Sequence, residues 1–279
     1  MKKKESVSEY IPSLINTPML NYECYVPSKK EKLLFFACVF FLGGAVSLIF
    51  FAGLFKSDGE ATLATYISDV VIFSIVGAAA AKILFPTFIE KKKEKRNIKL
   101  RNQFRDLLDS LSASFSAGVN PNEAFYSAHK DMVQQHGENS FIAIEANEIL
   151  NGVRQNYSIA EMLNDFAKRT GNEDIENFAN VYKIAVEKGT DLKTVIRRTH
   201  SIISDRIAVN DEIQTKLASN KLQHTVMSIM PIGIVAILRF TNESFANSFA
   251  SPLGIIVNII AIGAFIGSYI LGQKICKID

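Results

Sequence analysis

Residues 33–55 read LLFFACVFFLGGAVSLIFFAGLF, a run of 23 residues without a charge. A helix rises about 1.5 Å per residue, so roughly 20 apolar residues cross the ~30 Å of hydrocarbon in a bilayer. The run predicts a membrane-spanning helix. It begins after 32 residues, exceeds the apolar core of a signal peptide and has no small-x-small cleavage site, so it reads as an anchor.

Three further apolar segments follow at 67–89, 222–240 and 253–272. The second contains two charges: Asp69 lies near one end, and Lys82 can extend its amine toward the lysines after residue 89. The third is the weakest, because its uncharged core, 225–238, is short and contains Pro231. The flanking charges argue for it. Lys29, Lys30 and Lys32 precede the first segment; Lys91, Lys92, Lys93, Lys95 and Arg96 follow the second; Lys274 and Lys277 follow the fourth. The loops 56–66 and 241–252 are nearly bare of Lys and Arg. The excess of basic residues on cytoplasmic loops then places the N-terminus, the block between the second and third segments, and the C-terminus in the cytoplasm. Without the third span, Lys274 and Lys277 would lie outside. The expected fold is an all-α integral membrane protein, with four transmembrane helices in two pairs flanking a cytoplasmic six-helix bundle at 96–221.

Composition agrees: 48% of the 279 residues are hydrophobic and 21% charged. The net charge of +3 conceals a gradient. Residues 91–105 hold eight basic residues and one acid, whereas 106–221 hold twelve basic and seventeen acidic residues. A basic collar therefore sits beside a membrane segment, and the block behind it is mildly acidic, which excludes the basic face that nucleic-acid binding requires. Residues 1–32 carry Pro12, Pro18 and Pro27 between short apolar patches, and on composition read as a flexible or loosely docked cytoplasmic tail. Gly43-Gly44, the run 77–81 and the Gly263/Gly267 pair mark faces for close helix packing, within the chain or between copies.

Helical periodicity governs the central block. Ile98, Phe104, Leu107, Leu108, Leu111 and Phe115 trace one face of a first helix, stopped by Gly118. Asn120 and Pro121 open a second as N-cap and first residue, ending near Gly137. Residues 141–153 form a third. Ser158 and Glu161 make a capping box for a fourth that ends near Gly171, and 173–188 is a fifth, stopped by Gly189. Thr190 is the expected cap of a sixth, with one apolar stripe of Leu192, Val195, Ile196, Thr199, Ile202, Ile203, Val209, Ile213 and Leu217. It continues without Pro or Gly toward the third span.

Chemistry is hard to assemble from these residues. Phosphate-loop, HExxH, GxSxG and kinase patterns are all missing. His129, His136, His200 and His224 have no ligand-like spacing, and Cys24, Cys38 and Cys276 are scattered. Glu173, Asp174 and Glu176 sit where acids suit the first turn of a helix. Asp191, Arg197 and Arg198 read as a solvated face able to meet a partner, and Asn258 and Ser268 are isolated polar groups in the last span. No catalytic, cofactor-binding or metal-ligating residue is assigned.

Several stretches together resemble the type II secretion system F family, above all the TadB/TadC-type platform proteins of tight-adherence (Flp) pili. They are 104–124 (FRDLLDSLSASFSAGVNPNEA), 185–196 (AVEKGTDLKTVI) followed by Arg206, Met230-Pro231 in the third segment, and 251–254 (SPLG) opening the last. The resemblance covers about two-thirds of the chain, from residue 96 onward. The helical block occurs once, where F proteins of the general secretion branch carry two copies, which favours the TadB/TadC branch. The resemblance implies a non-enzymatic inner-membrane platform without cofactors. Its partners would be a hexameric secretion ATPase, a second platform protein and pilin subunits, in a homo- or hetero-oligomer. A four-span sensor or transporter component with a regulatory helical domain is the alternative, disfavoured by the few ionisable groups in the spans.

Overall fold

The computed structural model describes residues 8–52 and 63–276. The expectations for 1–7, 53–62 and Lys277, and for the side chains of Leu217, His224, Lys274 and Cys276, lie outside the described residues. Helix dominates. Two three-residue strands, β1 (Tyr10–Pro12) and β2 (Pro18–Leu20), precede nine helices among the described residues: α1 (Lys29–Phe51), α2 (Leu63–Ser116), α3 (Pro121–His136), α4 (Phe141–Arg154), α5 (Ile159–Thr170), α6 (Glu173–Lys188), α7 (Leu192–Thr241), α8 (Glu243–Ala250) and α9 (Pro252–Cys276).

Local chemistry sets these ends. Ser28 and Glu31 form a capping box that starts α1 four residues ahead of the expected span. Asn120, Ser140 and Ser158 each accept the backbone N–H three residues on, and Ser158 closes a second capping box with Glu161. The bonds from Ser158 hold the Glu161 carboxyl below the usual carboxylate range. Gly171 and Gly189 end α5 and α6 in the left-handed conformation, which costs a residue without Cβ little. The expected cap of α7 moves by one residue. Asp191, not Thr190, accepts from the Lys193 amide at 3.1 Å and the Thr194 hydroxyl at 2.7 Å.

The second apolar segment and the first helix of the central block are one 54-residue helix, α2, with Pro86 inside it. The third segment is likewise the C-terminal part of α7, which holds Pro231. Among the described residues α1 and α2 are long and apolar enough to cross a membrane, and Thr225–Thr241 and Leu253–Ala264 are shorter apolar stretches.

The chain divides into two units: Met1–Val26 with Phe88–Asp211, and Pro27–Thr87 with Glu212–Asp279. In the first, Phe104 of α2 meets Phe166 of α5 and Phe178 of α6 edge-on, at centroid distances of 6.2 and 5.5 Å. Leu107, Leu108 and Leu111 continue that core as the helical periodicity predicts. The single stripe expected on α7 splits in two. Ile196, Ile203 and Ile207 are buried, whereas Ile202, Val209 and Ile213 are exposed.

In the second unit α1 and α2 pack through small residues and phenylalanines. A Cβ on Gly77 would stand 2.6 Å from the Phe40 carbonyl oxygen, and one on Gly43 3.1 Å from the Ala80 Cβ. Phe73 meets Phe40 edge-on at 5.4 Å. The glycines of α1 and α2 therefore serve packing within the chain, while among the described residues nothing lies near the position of a Cβ at Gly263 or Gly267. Arg239 of α7 donates to the Ile49 carbonyl at 2.7 Å and to that of Ala52, two carbonyls left open at the end of α1.

Of the flexible and docked alternatives for the N-terminal tail, residues 8–26 take the docked one. β1 and β2 pair antiparallel, Tyr10 opposite Leu20, around a turn in which Asn16 takes a positive φ of 59°. Pro12 closes β1 and Pro18 opens β2, so the prolines bound the short strands at the turn instead of preventing them. The hairpin and the segment after it are part of the first unit, and Tyr22 is only 1% exposed. Among the described residues, this arm holds the only strands.

Candidate functional site

The densest chemistry in the first unit lies where the arm meets α2, α4 and α5. Glu145 of α4 and Arg169 of α5 are almost fully buried and joined by two parallel bonds of 2.8 and 2.6 Å. Arg169 Nε also donates to Asp165 at 2.9 Å, one turn earlier on α5. The Tyr22 hydroxyl donates to Glu145 Oε1 at 3.0 Å, and the Tyr22 amide to the Arg169 carbonyl at 3.0 Å. Nearby, the Ser13 hydroxyl donates to the buried Glu148 at 2.6 Å.

The electrostatics follow from burial and pairing. Burial works against the Arg169 charge, but the bonds to Glu145 and Asp165 outweigh it and hold the guanidinium above its ordinary pKa. Burial pushes the Glu145 carboxyl upward, and Arg169, then Tyr22, oppose it. Two parallel N–H donors require two acceptor oxygens, so the geometry holds the ionised pair. Burial, and then the charge of Glu145, push the Tyr22 phenol far above its usual range. Each partner satisfies the others, an arrangement that fixes one packing and suits neither proton transfer nor nucleophilic attack.

Arg96 of α2 closes the arm from its other side. It is buried, and its guanidinium donates to the Asn21 carbonyl at 3.0 Å, the Tyr22 carbonyl at 3.2 Å and the Cys24 carbonyl. It also lies over the Tyr22 and Tyr25 rings, 5.6 and 5.4 Å from their centroids. Burial lowers its pKa, and the charge of Glu9 opposes that most strongly.

The remaining candidates disperse. His136 faces Asp106 at 3.0 Å, and His200 lies 3.8 Å from Asp109 and 3.4 Å from the Ser204 hydroxyl. Burial, with Arg154 adding, lowers the pKa of His129. No group of His, Cys, Asp and Glu able to hold a metal occurs among the described residues. In the acidic first turn of α6, Asp174 is buried and pairs with Arg206 of α7 at 2.5 Å, a contact that joins two helices. Cys24 and Cys38 form no disulfide. Asn258 is buried and Ser268 exposed, so α9 does not set them on a common polar path.

Sequence reasoning missed the arm site. Its signal was available in part: Glu145 and Glu148 sit among Ile142, Ala146 and Ile149 on the face of α4 that packs inward. Residues 107–240 match the family model described as Type II secretion system (T2SS), protein F. The match covers just under half of the chain, includes 185–196, Arg206 and Met230-Pro231, and leaves out 251–254 and the arm. No curated protein and no solved structure matches the chain.

Proposed function

We propose, on the premise that residues 107–240 are a type II secretion system protein F domain, that this chain is a non-enzymatic platform protein of a secretion or pilus-assembly machine in the inner membrane. The match carries the reading, and apolar helices on both sides of the polar block agree with it. Four spans, at 33–55, 67–89, 222–240 and 253–272, would hold the chain in the bilayer, with residues 96–221 as a cytoplasmic six-helix bundle. The bundle engages a hexameric secretion ATPase, and the spans help lift pilin subunits into a fibre, beside a second platform protein. The single helical block supports the TadB/TadC branch. Coupling is supported by the continuity of α2 and α7, each of which contains both apolar and strongly polar sequence.

Co-purification of the full chain with the secretion ATPase tests the reading. Binding should be lost on deleting 96–221 and kept on deleting 253–279. An ATPase that binds equally after the first deletion overturns the coupling. Nucleotide turnover by the purified chain alone contradicts the non-enzymatic role.

A further inference from the structure

The basic collar is uniform in sequence, but the structure sorts its members. Arg96 is buried under the arm, and Arg105 bonds Asp106 at 2.8 Å. Lys92 and Lys99 lie over the Phe88 and Phe141 rings, 5.6 and 5.7 Å from their centroids. Lys91, Lys93, Lys95 and Arg101 remain, and the half-buried Arg101 lies six residues beyond Lys95, about 18 Å past residue 89. Lys91 and Lys95 are exposed one helical turn apart, and Lys93 is half-buried on the other flank of α2. None forms an ion pair among the described residues, although Glu90 and Glu94 are interleaved with them.

The inference rests on α2 spanning the membrane, with its apolar segment ending at residue 89. Helix rise then carries Lys91 to Lys95 about 3–9 Å beyond the hydrocarbon. The headgroup layer is about 5–8 Å thick on each side. We propose that Lys91, Lys93 and Lys95 form a docking surface for the headgroups of anionic phospholipids. Three compact ammonium groups on flexible stems, at headgroup depth and on both flanks of a helix, suit phosphodiesters arrayed around a protein. Arg96, Arg105, Lys92 and Lys99 are held by groups of this chain, and Arg101 lies beyond the headgroup layer, so these five do not contribute. The surface would fix the depth of α2 in the leaflet beside the protein F domain.

The test is native mass spectrometry of the full chain in detergent, titrated with phosphatidylglycerol and with phosphatidylcholine. The wild-type chain should retain phosphatidylglycerol preferentially, with about fivefold of the preference from each lysine. K91Q/K93Q/K95Q should lose at least about tenfold of it, while K91R/K93R/K95R and R105Q keep it. The preference should fall as salt rises from about 50 to 500 mM. Equal retention of both lipids by the wild-type chain overturns the proposal, as does a glutamine variant with undiminished preference. Displacement of the lipid by inorganic phosphate also overturns it, by showing a site for a soluble anion. Alkaline extraction of membranes reports separately on the spanning reading. A chain that stays in the pellet but shows no lipid preference overturns this inference alone.

Discussion

Arg169→Ala would leave the Glu145 carboxylate buried with the Tyr22 hydroxyl as its remaining side-chain donor. Breaking a buried pair from one side costs about 3–5 kcal/mol, and the urea midpoint of the solubilised chain should fall accordingly. Arg169→Lys should recover only part of the loss, because an ammonium cannot present two parallel donors. Tyr182 offers an alkaline probe. Burial pushes its phenol up to about 12. The fold favours the neutral form, so this contribution is complete below the usual pKa of about 10 and is lost as pH rises toward 12. Tyr182→Phe should therefore lose less stability than the wild-type chain between about pH 9 and 11, a difference of about 1–2 kcal/mol. An identical pH profile for the two proteins would contradict the assignment. Both sites were invisible in the sequence for one reason. An acid or a tyrosine on a helix reads as surface until its distant partner is known, and Glu145 lies 123 residues from Tyr22.

At the scale of elements the sequence was far more legible. The boundaries of α3 to α6 follow from caps and glycines whose effect is local, so the pattern at 158–161 or at Gly189 needs no tertiary context. Ser158→Ala should lower stability by about 1 kcal/mol, measured as a shift in the unfolding midpoint. Faces were harder to read than ends. Ile202 and Ile203 of α7 are adjacent and equally apolar, yet only Ile203 is buried. Periodicity locates an apolar stripe, but the elements packed against it decide which half is covered. Glycine pairs show the same limit: Gly43 and Gly77 bring α1 and α2 together, while Gly263 and Gly267 meet no neighbour among the described residues. Gly77→Ala places a methyl against the Phe40 backbone and should cost about 1–3 kcal/mol, with loss of cysteine cross-linking between α1 and α2. Gly263→Ala should leave both measurements unchanged.

For the whole molecule, the arm is the largest departure from the sequence reading. Composition reads 1–32 as a flexible or loosely docked tail, because Pro12, Pro18 and Pro27 and few long apolar runs give it no core of its own. The arm is held by groups it does not carry: Arg96, Glu145, Glu148 and the Arg169 carbonyl. Arg96→Ala should therefore raise hydrogen exchange across residues 8–26 and at the start of α4, with α3 unchanged. Uniform protection in the variant would show that the arm docks without Arg96. The arm also lies outside the protein F match at 107–240, so a truncation to those residues removes the Tyr22 partner of Glu145 and should fold less stably than a form that keeps the arm.

The distance between Tyr22 and Glu145 along the chain also imposes an order on biosynthesis. Ribosomes add about 5–20 residues per second, so the arm waits about 6–25 s after Tyr22 is made before Glu145 follows. On the proposed reading, both apolar segments between them leave the ribosome during that interval and would be handed to the bilayer. The arm is therefore translated well before the partners that hold it, and it would close over its helical unit only after the two apolar segments between them have been made.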